Sequence, residues 1–335
     1  AMRFEVPLPA ELVEELSAFW TAVFGEPDTD PDLPPSVFLG QEHEYNRNIV
    51  YLDRRGEKLA GTCGLTVSRR VPILGGLGEV ATSPEFRRAG IATELCRQAI
   101  DEFRESGGQV VFLGTGNPDA ARVYYRLGWR KLAGASVMAN ISSGDSPEAF
   151  LVGYFRGLGT AIVRAATPED RIPMIPLLHV PHDWQVLDSN AGMFSTRYAV
   201  HGWCMSLYRR YAAVATDDRG SWFSAVTNSG RVVGLSTARL DSSGGCRVDA
   251  FAHKDHESVW RDLVQAAKDW GTGRGAASFE ATVSVEDEDK RALFESIGFR
   301  TADRGKPFDL GGRKVESVRL KVAVDWEGPN TRGGR

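Results

Sequence analysis

The chain has 335 residues, enough for two domains of ordinary size. Hydrophobic residues make up 42% and charged residues 25%, the balance expected of a globular protein. With 40 basic and 44 acidic residues the net charge is −4, which excludes the global basic footprint of a nucleic-acid binder, and no uncharged apolar run approaches the roughly 18 residues of a membrane span.

Four cysteines, Cys63, Cys96, Cys204 and Cys246, form no C-x-x-C pair and no metal-type spacing. Three fall among apolar or small neighbours, as a small hydrophobe does in a reducing compartment. Together with an N-terminus, Ala1 to Glu5, that has no apolar signal region, this gives a cytoplasmic expectation. Basic pairs stand at Arg69-Arg70, Arg87-Arg88 and Arg209-Arg210, and two of the three are expected to be solvated surface.

In chain order, Leu12, Val13, Leu16, Phe19, Trp20 and Val23 recur at helical spacing and predict a helix over Pro9 to Phe24. A Pro- and Asp-rich loop follows from Gly25 to Pro35, then a second helix over 36–46. Asn48 to Asp53 and Lys58 to Ser68 read as a hairpin turning at Arg54 to Glu57, and Leu77 to Thr82 as a further strand. A helix from about Gly90 to Glu105 presents Ile91, Ala92, Leu95, Cys96, Ala99, Ile100 and Phe103 on one face, and Ser106-Gly107-Gly108 stops it. Gln109 to Gly114 is a short buried strand. Asn117-Pro118-Asp119 combines an N-cap, a proline at the first helical position and an acid in the first turn, so it opens a helix that Gly128 ends. Strands around Trp129 to Lys131 and Ala135 to Ile141 complete the first unit, and the polar stretch Ser142 to Pro147 marks a boundary.

The second half repeats this order. Gly230-Arg231-Val232-Val233-Gly234 is similar to Glu57-Lys58-Leu59-Ala60-Gly61, and Phe294 to Phe299 is similar to Tyr124 to Trp129. Gly234 lies 173 residues after Gly61, and Phe294 lies 170 after Tyr124. Two landmarks at nearly one offset predict two copies of one α+β unit of roughly 150 residues.

The chemistry is concentrated in two segments. Val80-Ala81-Thr82-Ser83-Pro84-Glu85-Phe86-Arg87-Arg88-Ala89-Gly90-Ile91-Ala92 carries a strand into a tight loop and a helix. The first N–H groups of a helix lack internal partners, the helix dipole adds positive charge there, and Gly90 and Ala92 remove bulk, so a phosphate can approach. The loop is neither the dinucleotide-binding nor the P-loop pattern. It resembles the R-x-x-G-x-G/A loop of the GCN5-related N-acetyltransferases (GNAT), with Pro84 six residues before the glycine. Asn117 to Trp129 is similar to the same family's N-x-x-A-x-x-h-Y-x-x-x-G-aromatic segment. The resemblance covers residues 45–142 well and the rest weakly.

That resemblance implies an α+β fold of two tandem GNAT-like domains. Each would be a mixed, mostly antiparallel twisted sheet flanked by helices, with a splayed central strand. It implies an acyltransferase that uses acetyl-CoA or another acyl-CoA as co-substrate, with no metal. Val80, Ala81 and Thr82 would pair with the pantetheine arm. The pyrophosphate would sit on the amides of Arg88, Ala89, Gly90, Ile91, Ala92 and Thr93, with Arg87 close by. Asn117 would cap its helix and also face the pantetheine. Attack of an amine on a thioester needs a base, a donor to the carbonyl oxygen and an acid for the leaving thiolate. Tyr124 matches the acid position, and it shares a helix face with Ala120 and Leu127; Tyr125 points elsewhere and reads as packing. Glu79 is the expected base, with His43 as a second choice.

The C-terminal copy carries no glycine where its loop should open, Asp255 and Glu257 would repel a phosphate, and Phe294 replaces the tyrosine. It is therefore expected to be degenerate and to shape the acceptor pocket, with His179, His182, Asp183, Trp184, Trp203 and Tyr208 as lining groups. His179 and His182 flank Pro181 without helical i, i+4 spacing, which argues against a metal. The expected domains are 1–145, catalytic; 146–160, a linker; 161–326, the degenerate copy; and 327–335, a tail. The acceptor is expected to be a small-molecule amine, with neither nucleic acid nor membrane as partner. The alternative is a non-catalytic acyl-CoA sensor, and neither the acceptor, the acyl chain nor the oligomeric state can be read from the sequence.

Overall fold

The computed structural model describes residues 1–25, 33–142 and 146–323. The expected tail therefore lies outside the described residues, as does most of the expected loop after Gly25 and part of the boundary at 142–147.

In the first half the elements are β1 (Met2–Glu5), α1 (Ala10–Phe24), α2 (Pro35–Phe38), β2 (Asn46–Arg55), β3 (Lys58–Ser68), β4 (Leu74–Thr82), α3 (Ile91–Glu105), β5 (Val110–Gly114), α4 (Pro118–Arg126), β6 (Arg130–Lys131) and β7 (Val137–Ile141), with α5 (Pro147–Tyr154) after them. In the second half they are β8 (Ala161–Ala165), α6 (Met174–His179), β9 (Val186–Asp188), β10 (Met193–Phe194), α7 (Leu207–Ala212), β11 (Gly220–Thr227), β12 (Val232–Leu240), β13 (Gly245–Ala252), α8 (Trp260–Gly273), β14 (Ser278–Ser284), α9 (Glu288–Ser296), β15 (Arg300–Arg304), β16 (Phe308–Leu310), β17 (Arg313–Val315) and β18 (Ser317–Ala323).

Two seven-stranded sheets result among the described residues. The first has the order β1-β2-β3-β4-β5-β7-β6, the second β8-β11-β12-β13-β14-β18-β15. Each contains one parallel pair, β4 with β5 and β13 with β14, at its centre, and its other pairs are antiparallel. Position for position the two sheets have the same connectivity. The fold is α+β, in two tandem sheet units.

Local signals account for most boundaries. In α3, Ile91, Leu95, Cys96, Ala99, Ile100 and Phe103 are buried as their spacing requires, whereas Ala92 stays partly exposed. Gly107 ends that helix at φ 89°, and a Cβ on Gly108 would lie 2.3 Å from the Phe103 ring. The helix expected over 36–46 is a single turn, because Gly40 at φ 106° breaks it and the chain turns irregularly to Asn46. The expected linker 146–160 contains α5, capped by Ser146 and burying Leu151 and Tyr154.

The two halves are joined by packing rather than by a tether. One continuous hydrophobic core runs from Leu74, Val110 and Phe112 of the first sheet through Ile172, Leu178 and Met205 to Phe251 and Phe279 of the second. Arg171 and Glu42 form a buried ion pair across the junction, with Nε to Oε2 at 2.8 Å, and Asn46 Nδ2 donates to the Pro168 carbonyl at 2.8 Å. A second core lies under α3, around Tyr51, Cys63, Leu95 and Trp129. No helix among the described residues is long and apolar enough to cross a membrane.

Candidate active site

The site begins where β4 and β5 part. They pair only through Leu74–Gly76 and Val110–Phe112, although β4 runs on to Thr82 and β5 to Gly114. Chain from the second half crosses the opening. A Cβ on Gly76 would lie 2.1 Å from Met205 Sδ, and one on Gly114 would lie 3.1 Å from the Gly202 carbonyl oxygen and 3.2 Å from Cys204 Cβ. The glycines are what let this segment come so close to both strands.

On its other side β4 carries a bulge. Thr62 faces Ala81 and Gly64 faces Gly78, so Glu79 and Val80 together face Cys63. Glu79 takes up the extra residue at φ 49°, a region uncommon for anything but glycine. Its conformation is tied down: Thr62 Oγ1 donates to the Glu79 carbonyl at 2.7 Å and accepts from Trp20 Nε1 at 2.9 Å. Its carboxylate lies against Gly64, where a Cβ would stand 2.8 Å from Oε2. Because the bulge interrupts the two-residue alternation, Leu77, Gly78, Glu79 and Val80 all line one cavity.

That cavity has a volume of about 680 Å3. Trp20 and Phe24 of α1 form one wall, Leu113, Asn117, Ala120 and Tyr124 another, and Met205, Ser206 and Arg209 of the second half a third. Tyr124 is buried on α4 and set edge-on to Trp129 at 5.6 Å. Burial, with smaller contributions from Cys96 and Cys63, pushes its phenol well above the ordinary tyrosine value, so it is a donor at any working pH. Asn117 is the cap its sequence predicts: Oδ1 accepts from the amides of Asp119 at 2.9 Å and Ala120 at 3.4 Å. Tyr125, expected to pack, is exposed instead.

At the far end of β4 the loop turns through Arg88 at φ 65° and Gly90 at φ 80° into α3. Gly90 is the N-cap and offers no side-chain acceptor, and a Cβ there would meet open space. The first hydrogen bond into the helix is Glu94 N to Gly90 O at 3.0 Å. The first-turn amides of Ile91, Ala92 and Thr93 precede that bond and have no acceptor within the helix. Arg87 and Arg88 are exposed beside them.

Glu79, Val80, Asn117 and Tyr124 thus meet at one cavity. Ala81, Thr82 and residues 87–93 lie outside its lining, along β4 and at the helix start. His43 is exposed, its ring bonded to the Gly40 carbonyl at 3.0 Å, and does not reach the cavity. None of the six lining groups expected from the second half lines it. His179 is buried, bonded to the Trp203 carbonyl at 2.9 Å and stacked on His201 at 4.9 Å. Tyr208 packs under Arg171 at 4.3 Å, and His182, Asp183 and Trp184 border a different cavity. The residues in their place, Gly202, Cys204, Met205, Ser206 and Arg209, carry no motif, and only the approach of the two halves selects them.

The corresponding gap in the second sheet is closed. β12 and β13 pair in unbroken register from Gly234 with Ala252 to Leu240 with Cys246, so the bulge is absent. A trace of this is visible in the numbering: Gly245 lies 171 residues after its counterpart Leu74, but Ala252 only 170 after Thr82. Beside β13 the gap holds the chain's own segment around β9. Ser189 N donates to Asp249 Oδ2 at 2.8 Å, and Lys290 Nζ pairs with Asp249 Oδ1 at 2.7 Å while donating to the carbonyls of Val186 and Leu187. Phe294 is locked between Trp260 and Phe299. A larger cavity, about 930 Å3, lies at the end of β13, but its walls set Asp183, Asp255, Glu257 and Asp289 against Arg156 and Lys254. That balance does not suit a polyanion.

A parted strand pair, a bulge beside a buried phenol and a helix start with free amides define an acyltransferase domain. Residues 10–129 match the acetyltransferase (GNAT) family. A search of curated proteins finds no match. Among solved structures, the ribosomal-protein-S5-alanine acetyltransferase from Vibrio fischeri is similar at 15% identity and TM-score 0.40, covering 51% of this chain and 97% of that one. A spermidine N-acetyltransferase from Vibrio cholerae, in complex with CoA and spermine, is similar at 16% identity and TM-score 0.37, covering 49% and 95%. A nourseothricin acetyltransferase is similar at 17% identity and TM-score 0.30, covering 32% of this chain and 66% of that one.

Proposed function

We propose that residues 1–145 bind acetyl-CoA and transfer its acyl group to the amine of a small molecule, and that the degenerate second unit, 161–326, shapes the acceptor pocket. The observation that carries this reading is the single cavity in which Glu79, on the bulge, and Tyr124 meet at the parted end of β4.

The carrier's arm lies along Val80, Ala81 and Thr82, whose partner strand has turned away. Its diphosphate rests on the amides from Arg88 to Thr93, with Arg87 and Arg88 adding charge. Asn117 keeps its capping oxygen engaged and has its amide group left to face the arm. The amine nitrogen attacks the thioester carbon, a main-chain amide of β4 donates to the carbonyl oxygen, and the C–S bond breaks. The proton lost by the amine goes to Glu79, directly or through a water. Tyr124 donates to the departing sulfur. A phenol raised by burial supports this best as a hydrogen-bond donor. The four cysteines are buried thiols, which fits a reducing cytosolic setting.

The test is Tyr124→Phe, which keeps the ring against Trp129 and removes only the donor. Turnover should fall on the order of 10²-fold or more while calorimetry finds CoA binding unchanged. Unchanged turnover would remove Tyr124 from the mechanism, and a protein that binds acetyl-CoA but acetylates no amine would favour the sensor.

A further inference from the structure

We propose that the acceptor is an amino-carboxylate with an apolar body, of the apolar amino acid class, whose carboxylate is held by Arg209. This rests on the transferase reading above and names the substrate class of that site.

The described walls of the 680 Å3 cavity carry two charged side chains, Glu79 and Arg209. Glu79 belongs to the transfer centre on the bulge. Arg209 comes from the second half, on α7, three residues after Ser206, which places both on one helix face toward the cavity. Arg209 Nη1 is removed from solvent and has no hydrogen-bond partner among the described residues, and Arg209 forms no ion pair there. Its neighbour shows the contrast: Arg210 donates to the carbonyls of Ala191 and Gly192 and stacks on Trp203. A guanidinium N–H held away from water without an acceptor is costly, and the cost is recovered when a ligand supplies one. A carboxylate matches the planar fork of the guanidinium with two parallel bonds. Most of the remaining wall is apolar: Trp20, Phe24, Leu33, Leu77 and Met205.

The same charges select against other amines. A polyamine would bring a second cation toward Arg209 in an apolar enclosure, where like charges are strongly unfavourable. An acyl chain ending in a carboxylate could also reach a cation in this cavity. Arg209 stands on α7 of the second half and lines this cavity, whereas the loop into α3 on which the carrier's diphosphate rests lies outside it, and this assigns Arg209 to the acceptor instead.

The experiment compares kcat/KM for matched amines with wild-type protein and acetyl-CoA: phenylalanine and leucine against their amides and against phenethylamine and isoamylamine, with spermidine as the polycation. The free carboxylates should be preferred by about 30-fold or more. In Arg209→Gln that preference should collapse through KM, with CoA affinity unchanged by calorimetry. Equal or better turnover of the carboxylate-free amines or of spermidine would overturn the proposal while leaving the transferase intact. So would a preference that follows succinyl-CoA over acetyl-CoA rather than the acceptor. Absence of CoA binding would instead sink the transferase reading itself. Because the substrate comparison uses wild-type protein, the answer does not depend on how well the variant folds.

Discussion

The cavity wall built by the second half can be tested at the contact between Gly76 and Met205. In Gly76→Ala the new methyl would sit 2.1 Å from Met205 Sδ, with Met205 Cε and Ile172 Cδ1 both at 3.1 Å. Non-bonded carbons and sulfurs settle at about 3.5–4.0 Å, so the thioether must retreat by more than an ångström. Met205 is 3% exposed and has little room to do so. Overpacking of this kind costs about 1–3 kcal/mol. Met205→Ala alone costs about 2 kcal/mol, near the low end for a buried methionine, because part of the side chain borders an open cavity. In the double variant the methyl added at position 76 enters the space the thioether left. Its stability should therefore be close to that of Met205→Ala alone, giving a favourable coupling of about 1–3 kcal/mol. Urea denaturation of the four proteins in one buffer measures this cycle. If the two costs simply add, to within about 0.5 kcal/mol, Met205 does not rest on Gly76, and the reasoning that the second half closes the gap between β4 and β5 fails.

Two further outcomes follow from buried charge. Lys290→Met removes the cation that faces Asp249 and leaves that carboxylate and the nearby Asp188 and Asp287 without it; thermal and urea denaturation should show a loss of about 3–5 kcal/mol, partly recovered by adding Asp249→Asn. A loss below about 1 kcal/mol would mean the gap beside β13 is not closed by this pair. Burial holds His179 down to about 3 and both His182 and His201 to about 4, against about 6.5 in the unfolded chain. The unfolded chain then binds more protons between about pH 4 and 6.5, so stability is full above about 6.5 and falls as the pH drops. At pH 5 each of these histidines removes up to about 2 kcal/mol. Urea midpoints should decline from pH 7.5 to 5, and less steeply in His179→Gln; a flat profile would contradict the burial.

The elements that depend on near neighbours along the chain are legible in the sequence itself. Asn117-Pro118-Asp119 caps α4 because an Asn oxygen, a proline and an acid satisfy a helix start by themselves. The run from Val80 to Ala92 announces a strand, a turn and a helix with free amides, and the repeat of Gly61 at Gly234 announces a second sheet of the same order. These are short-range properties of the chain. The helix expected over 36–46 fails for a reason of the same kind, since Gly40 leaves the helical region after one turn.

What required the tertiary structure is the site's inner geometry. A bulge is one residue of excess between two strands, and it becomes visible at Glu79 only once β3 is laid beside β4. Met205 and Arg209 carry no local pattern that marks them for a cavity in the first half. They arrive there because Gly76, Gly78 and Gly114 leave room and because the two sheets share a core, a contact between positions 90 or more residues apart. Periodicity and capping act over a few residues. Which side chain from a distant segment fills a gap is decided by packing of the whole chain, and that packing placed Arg209 at the wall of the first-half cavity and β9 in the second gap.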